Sequence, residues 1–196
     1  AMQAVLPQAE IALIGEPSNM RLITGHKGGA GFHVHVKGFE VHSSLLPYGV
    51  SAVMQAARLI EWVNQQNEVI QAKAPSALAA TFDPPFTTLH VGRIAGGTAD
   101  NITAADCRFS LEVRVIPDEV VADWERKFIN AATQQSAIMN TQHAEAEILL
   151  APFFSVPALA PEIDGAAEAL IRKITGDNAT GVVSYGTEAG QFQAAG

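Results

Sequence analysis

Apolar and polar residues alternate along several stretches of this chain, and elsewhere apolar residues recur every third or fourth position. The changes between these two periods predict a series of strands and helices. Phe32, Val34 and Val36 alternate with His33, His35 and Lys37, the pattern of a strand with one buried face. Over residues 50–64, Val50, Val53, Met54, Ala57 and Ile60 form one helical stripe. Residues 65–85 lose this period and end in Asp83-Pro84-Pro85, which reads as a long connection. Leu89 and Val91 resume the alternation, and after a Gly96-Gly97 turn it returns as Cys107, Phe109, Leu111, Val113 and Val115 against Arg108, Ser110, Glu112 and Arg114. Pro117 ends that strand. Asp118 and Glu119 suit the first turn of a helix whose stripe is Val121, Trp124, Phe128 and Ala131. Ala144, Ala146, Ile148 and Leu150 then alternate with Glu145 and Glu147 as a fourth strand.

The resulting order, β-α-β-β-α-β, predicts an α+β fold: a ferredoxin-like sandwich over residues 25–150, with both helices on one face of an antiparallel sheet. The other face would carry His33, His35, His90, Arg108, Glu112, Arg114 and Glu145. Edge strands of such a sheet can pair with a second copy, so a homodimer is expected. The flanks, residues 1–24 and 151–196, read differently. Residues 11–14 look like a short buried strand, 164–174 a helix, and 182–185 another strand. These α/β pieces predict that the sandwich is inserted in a larger α/β domain of which only parts are present.

Length and charge narrow the class. The 196 residues suffice for a buried core. A net charge of −8, with the twelve basic residues scattered, gives no footprint for phosphate backbones, so nucleic acid is not an expected partner. Cys107 has no mate, which favours a reducing, cytoplasmic setting. No apolar run approaches the ~20 residues a membrane span needs, so no membrane partner is expected. Ala1 ahead of Met2 reads as a cloning remnant, with the reading frame starting at Met2.

Several ordered motifs carry more. They are Gly15-Glu16-Pro17-Ser18, Lys37-Gly38 running to His42-Ser43-Ser44, Gly49, Gly96-Gly97 with Asn101-Ile102, Glu112-Val113-Arg114 before Pro117, and Tyr185-Gly186-Thr187-Glu188-Ala189. In this order they resemble the metal-dependent amidohydrolases and exopeptidases of the acetylornithine deacetylase and succinyl-diaminopimelate desuccinylase family, the acetylornithine deacetylase branch above all. The resemblance implies a deacylase of N-acyl amino acids, with N-acetylornithine and arginine biosynthesis the expected substrate and pathway.

It also implies a pair of zinc (or cobalt) ions that share a bridging water, lower its pKa and polarise the scissile carbonyl. Glu16 matches the family's carboxylate ligand. His42 matches a histidine that one subunit sends into its partner's site as an oxyanion donor, and Asn101 an asparagine that crosses with it. Arg114 matches a clamp on the substrate's α-carboxylate, completed by Gly186 and Thr187. Glu188 is left without a role. Two departures stand out: Val41 where a glycine is common, and Thr103-Ala104 where a proline is expected. The remaining metal ligands have no counterpart in the sequence, so the chain alone is expected to bind no metal pair and to be inactive.

Bland readings stand beside these. Arg114 could be a sheet-surface ion pair with Glu112 or Glu145. His33, His35 and His90 could share a zinc, or simply form a histidine patch. The glycine pairs lack phosphate-loop spacing. A different function class also fits the pattern: a self-standing ferredoxin-like dimer that binds a small molecule or regulates a partner.

Overall fold

A computed structural model describes residues 9–179 and 181–196. In chain order come β1 (Ile23–His26), β2 (Gly28–Lys37), α1 (Ala52–Gln71), β3 (Thr88–Gly96), β4 (Asp106–Val115), α2 (Val121–Gln142), β5 (Glu147–Val156), α3 (Ala166–Thr175), β6 (Gly181–Val183) and α4 (Ala189–Ala195). Strands β3-β4-β2-β5 form an antiparallel sheet in that order, while β1 and β6 pair in parallel as a separate two-stranded sheet. The run β2-α1-β3-β4-α2-β5 with this strand order is the predicted ferredoxin-like sandwich. Among the described residues no helix is long and apolar enough to cross a membrane.

The core lies between the sheet and the two long helices. Val34, Val36, Leu111 and Val113 point into it from the strands, and Leu59, Val63, Phe128 and Met139 from the helices. Phe128 packs against Phe32 and Trp62 with ring centroids 5.4 and 5.8 Å away. Such tilted pairs add to the burial of apolar area that drives the two layers together.

Several elements differ from the sequence reading. In α1 the buried line is Ala52, Ala56, Leu59, Val63 and Ile70, whereas Val53 and Met54 of the predicted stripe are 39% and 56% exposed. Both faces of this helix are apolar, and the line with the two alanines lets the helix approach the sheet closely. The helix also continues seven residues beyond Asn64, through what the sequence suggested was a connection. Polar side chains there have a use: the Asn67 amide accepts from the Leu89 N–H at 3.0 Å and donates to the Leu89 carbonyl at 2.8 Å, satisfying the edge strand β3.

The second helix keeps its predicted stripe, extended by Ala132 and Met139. Glu119 stands before it rather than in its first turn, accepting hydrogen bonds from the Thr87 hydroxyl at 2.8 Å and the Trp124 indole at 2.6 Å. Strand β5 starts at Glu147, so Glu145 lies off the sheet, and it continues to Val156, past the expected boundary at residue 150.

Residues 11–14 form no strand, and Leu13 is 50% exposed. The strand of that flank is instead β1, whose Ile23, Gly25 and His26 lie beside Gly181, Val182 and Val183 of β6. Its residues show no apolar period because a partner far along the chain, and not a local pattern, holds it. Helix α3 forms near its predicted place and ends at Gly176 in the left-handed region, φ 72°.

Candidate functional site

A cleft of about 320 Å³ opens where the loops of the two-stranded sheet meet the Arg114 end of the larger sheet. Its lining includes Glu16, Arg114, Gly186 and Thr187, four of the six residues singled out in the sequence, together with Glu112 and Glu188. Residues almost the whole chain apart are thus brought to one wall of space.

Arg114 is the last outward-facing residue on β4, and its environment is specific. The guanidinium donates to Glu112, two positions earlier on the same face, at 2.8 Å, and lies over the Phe154 ring at 5.3 Å from its centroid. The ion pair is therefore with Glu112 and not Glu145. The Glu112 contact and the Phe154 ring hold the guanidinium at the cleft, where its remaining N–H groups can donate to a carboxylate. Across the cleft the Thr187 hydroxyl accepts from the Ala189 N–H at 3.1 Å, closing the turn into α4.

That loop is fixed from behind by residues the sequence did not single out. Gly190 is buried so tightly that a Cβ would stand 2.4 Å from the Pro157 carbonyl oxygen, a position no side chain could take. Its N–H donates to Nε2 of His26 at 3.1 Å. His26 is 1% exposed, and its Nδ1–H donates to the Lys27 carbonyl at 2.9 Å. An acceptor Nε2 requires the neutral ring. Burial lowers its pKa accordingly, against smaller upward pulls from the Lys27 hydrogen bond and the Glu16 charge. Lys27, equally buried, donates to the Pro84 and Phe86 carbonyls at 2.8 and 2.7 Å. Burial also lowers its pKa, opposed by the charge of Asp83. The signal for both was a His-Lys pair set among glycines where the chain crosses from one sheet to the other.

The other two predicted residues lie elsewhere. His42 and Ile102 form an isolated bridge, and the Ser43 N–H donates to the Asn101 carbonyl at 2.8 Å, so His42 and Asn101 sit side by side. Nδ1 of His42 accepts from the Ser44 N–H at 3.3 Å and bonds its hydroxyl at 2.8 Å. A backbone N–H can only donate, so the ring proton is on Nε2, which faces outward as a donor from an exposed loop. Thr103, of the Thr103-Ala104 pair that stands where a proline is expected, ties this unit together. Its buried hydroxyl accepts from the Val41 N–H at 2.8 Å and donates to the Phe39 carbonyl at 3.0 Å.

These two groups occupy opposite ends of one sheet. Asp106 opens β4 opposite Lys37, where β2 runs out into the loop that carries His42, and Arg114 lies eight residues further along the strand. At a rise of ~3.4 Å per residue that is about 27 Å.

The histidine patch resolves into separate contacts: His33 stacks on Phe153 with centroids 4.5 Å apart, and His35 bonds Asp106. Among the described residues no group of three or more His, Cys, Asp or Glu side chains could hold a metal ion. Glu16 and Glu188 offer carboxylates to the cleft, but a zinc pair does not fit the described residues alone.

A family model described as the peptidase dimerisation domain matches residues 24–140. Acetylornithine deacetylase of Myxococcus xanthus is 35% identical over 118 residues, 60% of this chain and 30% of that protein. The acetylornithine deacetylase of Edwardsiella ictaluri is 27% identical over 184 residues, 92% of this chain and 45% of its own length. Among solved structures, aminopeptidase PepT from Bacillus cereus superposes with a TM-score of 0.64 at 18% identity, covering 90% of this chain and 43% of that one. The last likeness shows the fold alone. The chain spans less than half the length of these relatives.

Proposed function

Since the chain belongs to the peptidase dimerisation domain family, within the acetylornithine deacetylase and succinyl-diaminopimelate desuccinylase group, we propose that it is the dimer-forming and substrate-gripping part of an N-acyl amino acid deacylase. Residues 25–150 are the dimerisation domain, and residues 1–24 and 151–196 belong to the catalytic domain, which this chain supplies only in part. The protein acts as a homodimer. N-acetylornithine, after the deacetylases to which the chain is similar, is the first substrate to assay, and its turnover would place the enzyme in arginine biosynthesis. By itself the chain is inactive.

The observation that carries this reading is the separation of Arg114 from His42. About 27 Å of β4 separates Arg114 from Asp106, at the end of the sheet where the His42 loop begins, although Arg114 and His42 are both to reach one amino-acid-sized substrate. One copy cannot bring them together, but two copies paired through their sandwiches can, each lending its His42 and Asn101 to the other's cleft. In that arrangement Arg114 binds the α-carboxylate through its fork, with Gly186 and Thr187 closing the same end. His42 donates Nε2–H to the oxyanion that forms on the scissile carbonyl, a contact worth about 3 kcal/mol of barrier. Glu16 is a ligand of the metal that would activate the water. A zinc or cobalt pair supplies that activation in the whole enzyme, with ligands beyond those described.

Subunit complementation tests it. In an active deacylase carrying this chain, His42→Ala and Arg114→Ala are each expected to abolish turnover. Mixed dimers of the two variants regain one intact site out of two, so an equimolar mixture recovers about a quarter of the original activity. No recovery in verified mixed dimers would show that both residues serve the same subunit's site, and the reading fails.

A further inference from the structure

Phe154 lines the cleft beside Arg114, and from it β5 leads onto the open face of the sheet. Gly31 lies beside Phe154 on β5 and Phe32 beside Pro152, so Phe153 is an extra, bulged residue. A bulge breaks the two-residue alternation. Here it turns two consecutive phenylalanines to the same side, where their ring centroids are 5.1 Å apart. The space they occupy exists because β2 has no side chains there. A Cβ on Gly31 would stand 2.4 Å from Phe153 and 2.5 Å from Phe154, and one on Gly29 would meet Phe154 at 3.2 Å. The result is an unbroken row: Arg114 over Phe154, Phe154 against Phe153, and Phe153 stacked on His33. Phe153 remains 43% exposed.

We propose that this row is the substrate's side-chain subsite and that it selects N-acyl amino acids with an aromatic or large apolar side chain. The inference rests on Arg114 being the carboxylate clamp. With the carboxylate on Arg114 and the amide directed toward Glu16, the remaining substituent of the substrate's Cα is its side chain, and the surface next to Arg114 is Phe154 and Phe153. Arg114 engages the Glu112 carboxylate at 2.8 Å, which leaves the ledge aromatic rather than anionic in character. A planar ring can lie on it by offset stacking, which exposed phenylalanines on a bare sheet otherwise leave unused.

The test uses this chain and three probes, N-acetylglycine, N-acetylphenylalanine and N-acetylornithine, titrated by ligand-observed NMR in the millimolar range. N-acetylphenylalanine is expected to bind roughly tenfold more tightly than N-acetylglycine, from ring stacking together with apolar burial. In Phe153→Ala that preference falls to within about threefold while N-acetylglycine is unaffected. Leu149→Ala, at an equally exposed position nearer the start of β5, leaves it intact. Equal affinity for the glycine and phenylalanine probes overturns the ledge and leaves the clamp standing. Tighter binding of N-acetylornithine, insensitive to Phe153→Ala, overturns it in favour of a cationic side chain. Binding of none of the three, or binding unaffected by Arg114→Ala, overturns the clamp and the ledge together.

Discussion

Thr103→Val removes one oxygen and should loosen the whole loop unit that carries His42. The Thr103 side chain is buried, with the residue 5% exposed, and its hydroxyl both accepts from Val41 N–H and donates to Phe39 C=O. Valine has nearly the same shape, so no cavity forms. What is lost is two hydrogen bonds, with a backbone donor left unpaired, and the expected cost is about 2 kcal/mol. For a chain of this length that lowers the melting temperature by roughly 4–8 °C. Urea unfolding measures the free energy, and amide hydrogen exchange at Val41 reports whether the loop itself opens. Thr103→Ser supplies the decisive contrast. It keeps the hydroxyl and loses a methyl group, for about 0.8 kcal/mol, so serine must be the milder change. If valine is neutral and serine the costlier variant, Thr103 acts by packing alone and its role as a tie is refuted.

Other outcomes follow from the same contacts. Phe128→Ala, at a residue 1% exposed between Phe32 and Trp62, is expected to cost about 4 kcal/mol in urea unfolding. A cost below about 1 kcal/mol would mean the core is not packed as described. His26 has a lowered folded-state pKa, so its contribution is fully present above its ordinary value of 6.5 and is lost as pH falls through the folded value. Melting temperature should therefore drop on acidification below that point, by less in His26→Gln; equal profiles would contradict the neutral, accepting ring. The edge strand β3 exposes Ile94 at 53%, and Val53 and Met54 on α1 are also uncovered. The chain should sediment as a dimer that Ile94→Asp weakens, and a monomer at high concentration would remove the dimer from the functional reading.

The fold was legible where the local period is strong. Strand β4 and residues 32–37 of β2 alternate because one face of each is buried against helices and the other is not, whereas the first five residues of β2 are buried throughout. Helix α2 was equally plain, since a single apolar stripe faces the sheet. The period failed where burial does not follow it. Helix α1 has apolar residues on both sides, so sequence could not say which side packs. In β5 the bulge at Phe153 and its edge position erase the alternation beyond residue 150. Strand β1 has no period at all, because its stabilising partner is β6.

The sequence by itself determined the β-α-β-β-α-β order and the identity of the motifs at Glu16, His42, Asn101, Arg114 and Gly186-Thr187, since periodicity and residue chemistry are local properties. Only the tertiary structure decided which of them meet. It placed Glu16, Arg114, Gly186 and Thr187 around one cleft and set His42 with Asn101 at the far end of the sheet. It also revealed His26 behind the Thr187 loop and the paired phenylalanines over Gly29 and Gly31. The physical reason is that these arrangements depend on strand register, on the parallel pairing of β1 with β6 and on one bulge, all of them relations between segments distant in the chain.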